Sequence, residues 1–261
     1  MKEGQWALIA GSAKGMGEAF TTLLAAQGFN LILADHQEFA LQSTADRIKA
    51  RYHVETIRLV LDLGDENAWE HCMKAVRDVD CRLLVYNAAR SEIKSFLDHS
   101  TESLNRFLDV NNRTAILLVH AFASHLRDQG KTGRILLMSS LAGLMAPVFV
   151  APYAASKAFL ITLARSLFYE IRPFKISISV CVSGIINTPK FLESRAEGHI
   201  HKADPYRVAE YAIKMSGKKA VYIHGMRNRL NYFLLSGVLP ASLSSYFVNR
   251  AMRKMYPKLS L

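Results

Sequence analysis

The chain has 261 residues, 50% of them hydrophobic, which suits one open α/β domain whose sheet is covered on both faces. Its longest apolar runs are strand-sized or broken by His, Arg or Lys, which excludes a membrane span of the ~18–20 residues a bilayer needs. Net charge is +11, but residues 211–261 hold nine basic residues and no acidic one, leaving only +2 on the first 210.

Apolar runs near residues 6–10, 30–35, 55–61, 82–86, 133–139, 175–181 and 219–223 read as strands. Helical patterns near 17–28, 38–51, 66–78, 100–128, 152–172 and 205–216 alternate with them. That order predicts a doubly wound parallel sheet of about seven strands with crossover helices on both faces. The first run enters a turn, Gly11-Ser-Ala-Lys-Gly15-Met-Gly17, that opens a helix. Glycines there let the backbone approach a pyrophosphate, whose charge a helix N-terminus favours. The second strand ends on Asp35. Further along, Ser140 precedes Tyr153 by thirteen positions, and Lys157 follows that tyrosine by four. On a helix Tyr153 and Lys157 share a face one turn apart. A phenol titrates near ~10, and a fixed cation beside it is expected to lower that value and make it a proton shuttle. Ser139 adjoins Ser140, but neighbours at a strand end point to opposite sides.

Taken jointly, the glycine loop, Ser140, Tyr153 and Lys157 resemble the short-chain dehydrogenase/reductase family over about residues 4–225. The resemblance implies a Rossmann-type fold and an NAD(P)-dependent oxidoreductase interconverting a secondary alcohol and a ketone. Tyr153 would be general acid/base. Lys157 would tune it and bind the nicotinamide ribose, Ser140 would polarise the substrate oxygen, and Asn111 would hold a relay water. The cofactor would lie against Gly11, Ala13, Lys14, Gly15, Met16 and Gly17. It would also meet Asp62 and Leu63 at the adenine, Asn87 and Ala88 after the fourth strand, and Gly184, Ile186 and Thr188 at the carboxamide. Departures from the family pattern are Ala10, Tyr86, Ala89 and Ser183, none of which removes a reacting group. Asp35 falls where the adenosine ribose is read, and a carboxylate there accepts from the 2′- and 3′-hydroxyls and repels a 2′-phosphate. Lys14 pulls the other way, so NAD is favoured over NADP without excluding it. An alternative that keeps the fold is a dinucleotide-binding regulator with little turnover, although regulators of this type generally lose the tyrosine or lysine.

Residues 189–204 correspond to the family's substrate lid, with Phe191, Leu192, Arg195, His199 and His201. Leu141–Val150 corresponds to the cleft wall; its apolar character suits a lipophilic alcohol or ketone, or equally a core segment. Helix 152–172 is apolar on more than one face, which fits a homodimer or homotetramer interface or burial within the chain. Cys72, Cys81 and Cys181 form no CxxC pair, and a strand follows the first few residues directly, so a reducing cytoplasm is expected. No His/Cys cluster suggests a metal site, and no nucleic-acid module accompanies the basic tail. Residues 226–261 form a basic amphipathic extension to a catalytic region of residues 1–225. Leu230, Phe233, Leu234 and Val238, then Leu243, Tyr246, Phe247 and Ala251 beyond Pro240, recur at helical spacing. Such stripes can dock on the fold or a second subunit, or lie peripherally in an anionic membrane interface.

Overall fold

Every residue of β1 (Trp6–Ala10) is buried, as expected for a strand covered on both faces rather than one. This computed structural model describes residues 4–198 and 200–259; His199, one of the lid residues, lies outside the described set. The chain continues through α1 (Met16–Ala25), β2 (Asn30–Asp35), α2 (Glu38–Tyr52), β3 (Thr56–Val60), α3 (Ala68–Arg77) and β4 (Cys81–Tyr86). It then forms α4 (Thr101–Leu108), α5 (Thr114–Asp128), β5 (Gly133–Ser140), the short α6 (Ala142–Met145) and α7 (Ala151–Glu170). β6 (Ile176–Ser183), α8 (Pro189–Glu193), α9 (Pro205–Met215) and β7 (Val221–Ile223) complete the sheet, and α10 (Met226–Tyr232) and α11 (Ala241–Met255) extend beyond it.

The strands lie in the order β3-β2-β1-β4-β5-β6-β7, all parallel. Alternate strand residues feed two cores. Leu8, Ile32, Leu84 and Ile135 pack with α3, α5 and α7 on one face. Ala7, Ile9, Leu33, Val85 and Leu136 pack with α1, α2 and α9 on the other. Winding reverses between β1 and β4, and their carboxyl ends open the crevice where such sheets bind ligands. Cys72, Cys81 and Cys181 are free and buried, with burial pushing the Cys72 and Cys81 thiols up to about 12.

One expectation needs correction, and one open alternative, docking of the extension's apolar stripes on their own fold, drops out. The continuous helix over 100–128 is instead α4 and α5 joined by a π-helical turn, Asp109–Arg113. Such a turn loosens the i→i−4 ladder, and the buried Tyr86 hydroxyl donates to the Val110 carbonyl there. The extension's two predicted apolar stripes face solvent, and a different set, including Leu235, Leu239, Val248, Met252 and Tyr256, turns inward. α10 runs through a π-helical turn, Phe233–Val238, before Pro240 starts α11. On α7, Leu160, Ile161 and Phe168 are buried within the chain itself. Among the described residues no helix is long and apolar enough to cross a membrane.

Candidate active site

The glycine loop is held by contacts that a side chain would break. Gly11 (φ 80) and Gly15 (φ 58) occupy the left-handed region. A Cβ on Gly11 would come within 2.7 Å of the Ala88 backbone, and one on Gly17 within 1.9 Å of the Gly11 carbonyl. Asn87 Nδ2 donates to that carbonyl at 2.8 Å. The N–H groups of Asn87 and Ala88 both reach the Ala10 carbonyl, at 3.0 and 2.9 Å. Ala13 and Met16 are buried under the loop, Lys14 is exposed, and the Thr188 methyl lies beside Gly15. The result is a cradle of backbone at the start of α1, shaped for a phosphate-bearing group. The loop's residues therefore fit a dinucleotide.

Asp35 is buried at the end of β2. Its Oδ2 accepts the Ala13 N–H at 3.0 Å, its Oδ1 accepts the Gln37 N–H at 3.1 Å, and His36 Nδ1 lies 3.4 Å away. A carboxylate offers about four acceptor sites, so the fixed group keeps capacity for ribose hydroxyls. Asp62 accepts the Gly64 N–H at 2.8 Å and pairs with the Arg106 guanidinium, beside the buried Leu63. Arg106 escaped the sequence reading, because no local spacing rule joins residues 44 apart.

At the ends of β5 and α7 the reactive side chains converge. Tyr153 is half-buried beside Ser140, whose Oγ accepts the Ala142 N–H at 3.2 Å. Ser139 turns the other way and donates to the Lys157 carbonyl at 2.8 Å. Lys157 is 3% exposed and donates from Nζ to the Met138 carbonyl at 2.9 Å. Its ammonium lies 5.6 Å from the centre of the Tyr153 ring. Burial brings the Lys157 pKa down to about 8. Burial also pushes the Tyr153 hydroxyl up, and the neighbouring Ser140 hydroxyl pulls it back. In this low-dielectric site desolvation is the largest influence on the tyrosine, and Ser140 acts against it.

Asn111 is buried in the π-helical turn. Its Oδ1 accepts the Arg90 N–H at 2.7 Å, and its Nδ2 donates to the Arg90 carbonyl at 3.0 Å and Ser156 Oγ at 2.9 Å. Both amide hydrogens are engaged, so a relay water could meet only Oδ1 or the main chain. Ser183, which stands where the family pattern has proline, donates to the Ser139 carbonyl at 3.2 Å and ties the ends of β5 and β6 together. Beyond it Asn228 lies against Gly184, Ile186 bridges to Ala203, and Thr188 Oγ1 caps α8.

Residues 141–150 and 189–204, the expected cleft wall and lid, have partners that sequence periodicity did not reveal. Ala146 (φ 46) and Phe149 (φ 67) hold left-handed conformations that cost non-glycine residues about 1–3 kcal/mol. Between them the Val148 N–H donates to Asn249 Oδ1 at 3.0 Å, and the Phe149 carbonyl accepts from Lys94 N–H at 2.9 Å. Tyr256 shares a 3.1 Å hydroxyl contact with Ser194 of the lid, and the Glu197 N–H donates to the Met255 carbonyl at 2.8 Å. A cavity of about 280 Å³ is lined by Phe191, Leu192, Arg195, Ile200 and Lys202, among others.

The family model described as short chain dehydrogenase matches residues 5–198. The chain belongs to the short-chain dehydrogenase family. It is 30% identical over 200 residues to the very-long-chain 3-oxoacyl-CoA reductase of Meyerozyma guilliermondii, covering 72% of this chain but only 58% of that relative. It is 27% identical over 231 residues to the 7β-hydroxysteroid dehydrogenase of Clostridium sardiniense, covering 87% and 88% of the two chains. A solved 7β-hydroxysteroid dehydrogenase superposes with a TM-score of 0.88 at 24% identity, covering 95% of this chain and 97% of the other. Solved neighbours from Sphingobium yanoikuyae, with NADPH, and Burkholderia phymatum, with NAD, superpose with TM-scores of 0.80 each. Their identities are 20% and 22%, and they cover 89% and 90% of this chain and 92% and 94% of their own. At those identities they speak for the fold and leave the choice between the two dinucleotides open.

Proposed function

We propose that this short-chain dehydrogenase interconverts a lipophilic secondary alcohol and its ketone, with Tyr153 as general acid/base and NAD as the preferred dinucleotide. The observation that carries the reading is the convergence of Ser140, Tyr153 and the buried Lys157, whose ammonium lies 5.6 Å from the centre of the Tyr153 ring. A nicotinamide cofactor held there would supply or accept the hydride. In the reduction direction Tyr153 gives its hydroxyl proton to the carbonyl oxygen, and Ser140 donates a hydrogen bond as charge builds on that oxygen. Lys157 donates to the nicotinamide ribose hydroxyls, and Asn111 fixes the turn beside it and meets the relay water. The glycine loop from Gly11 to Gly17 holds the pyrophosphate. Asp35 takes the adenosine ribose hydroxyls, and its carboxylate repels a 2′-phosphate more than the exposed Lys14 attracts one. Asp62 and Leu63 flank the adenine, Asn87 and Ala88 the adjoining ribose, and Gly184, Ile186 and Thr188 the carboxamide.

A lipophilic substrate is supported by the apolar wall from Leu141 to Val150 and by what the two curated relatives are named for, an acyl-CoA and a steroid. Arg195 and Lys202 add cations to the cavity lined by Phe191, Leu192 and Ile200. Lipophilic ketones with an acidic group therefore belong in the test panel. The partly covered Phe159, Leu163 and Leu167 of α7 support a homodimer or homotetramer. The deciding test is reduced-cofactor absorbance against steroidal, acyl-thioester, aliphatic and aromatic ketones, with Tyr153→Phe alongside. That variant keeps the ring and should bind cofactor normally while losing ~10²–10⁴-fold in turnover. Near-normal turnover would remove Tyr153 from the chemistry, and no turnover of any ketone by the unaltered protein would favour a binding regulator.

A further inference from the structure

The C-terminal extension is exposed on a face that is at once apolar and cationic. Leu230, Phe233, Leu234, Val238, Tyr246 and Phe247 are between 45% and 61% exposed, where an ordinary surface helix would carry polar residues. The inward side of the same segment is already committed: Asn228 lies against Gly184, Asn249 holds Val148, and Tyr256 meets Ser194. The outward stripes are therefore not waiting to fold onto their own domain. Arg227, Arg229, Arg250, Arg253, Lys254 and Lys258 are all exposed on this extension, and none has an ion-pair partner among the described residues.

We propose that this face docks on an anionic lipid bilayer. Charge complementarity selects that occupant over a second copy of the chain. Residues 211–261 contain no acidic side chain, so a two-fold pairing of this face would set cations against cations. An anionic bilayer offers headgroup phosphates to the arginines and lysines and acyl chains to Phe233 and Phe247. Docking there also sets the lid and wall, which the inward side of the extension holds, next to the source of an apolar substrate. That last consequence rests on the proposed lipophilic substrate; the docking itself does not.

The test is co-sedimentation of the full chain with vesicles of phosphatidylcholine alone and of phosphatidylcholine with phosphatidylglycerol. Cofactor affinity is read separately from tryptophan fluorescence, so loss of the enzymatic reading and loss of the docking reading are distinguishable. Binding is expected on the anionic vesicles only. It should weaken from about 0.1 M to about 1 M salt, as the screening length falls from about 10 to about 3 Å. Each cation near the surface contributes about fivefold in affinity, so Arg227→Glu with Arg229→Glu should weaken binding by at least about 25-fold. Phe233→Ser with Phe247→Ser should abolish sedimentation at unchanged melting temperature, because both rings face outward. Absence of binding, equal binding to neutral vesicles, or unchanged binding by both double variants would overturn the proposal. So would dissociation of a dimer by Phe233→Ser with Phe247→Ser in a protein that ignores vesicles, which would make the face an interface between copies.

Discussion

Lys157 should destabilise the fold that houses it, and Lys157→Met should therefore raise the melting temperature while removing the proposed cofactor contact. Burial lowers its pKa from 10.5 to about 8. At about 1.4 kcal/mol per pH unit, the folded state at pH 7 forgoes on the order of 3 kcal/mol to keep this ammonium charged. Methionine matches the stem in length, carries no charge, and leaves the Met138 carbonyl without its Nζ donor, a loss of about 1 kcal/mol. The net gain of about 2 kcal/mol corresponds to a rise of roughly 5 °C for a domain of this size. The pH dependence has a definite sign. Below about pH 8 both folded and unfolded chains hold the proton, and the penalty is fully present. Between about 8 and 10.5 the folded chain has released a proton that the unfolded chain retains, so wild-type stability gains with pH relative to the variant. Thermal melts followed by circular dichroism, without cofactor, should show the difference at pH 7 and its contraction by pH ~10. Other titrating groups are common to both proteins and cancel. A lower melting temperature for Lys157→Met, or a difference independent of pH, would refute the desolvation argument.

Two further outcomes are expected. Asp35→Ser should narrow any preference for NAD in parallel titrations of NAD and NADP, because the repulsion of a 2′-phosphate disappears; tighter binding of NADP by the unaltered protein would already contradict the assignment. Asn249→Ala should raise KM for a bulky ketone several-fold with little change in cofactor affinity, since it frees the Val148 N–H on the cleft wall and touches nothing in the glycine loop; a selective loss of cofactor binding would argue against that role.

Much of the sheet was legible because its signals are local. Trp6–Ala10 is an unbroken apolar strand, and Asn30–Asp35 holds an apolar run of four between a polar residue at each end. The glycine loop and the Ser140, Tyr153, Lys157 spacing are likewise short-range patterns, which the fold brings to one crevice. What escaped was tertiary. The π-helical turn within the helix over 100–128 accepts a hydroxyl from β4, 24 residues upstream of its acceptor, and periodicity carries no trace of that bond. The Asp62–Arg106 pair escaped for the same reason. In the extension the period was legible, whereas the side that turns inward was not. Its inward face is set by Asn249 and Tyr256, polar residues that an apolar-face argument discounts, and both find specific partners on the wall and lid.

The bond between Val148 and Asn249 has a consequence in time. Its two ends are separated by 101 residues. At ribosomal rates of about 5–20 residues per second, the wall is made roughly 5–20 s before its partner. During that interval the glycine loop, β4 and β5 are all available to pair, whereas the left-handed turn at Phe149 lacks one of its two restraints. A nascent chain therefore holds the strands around its glycine loop before the turn at Phe149 has both of its restraints.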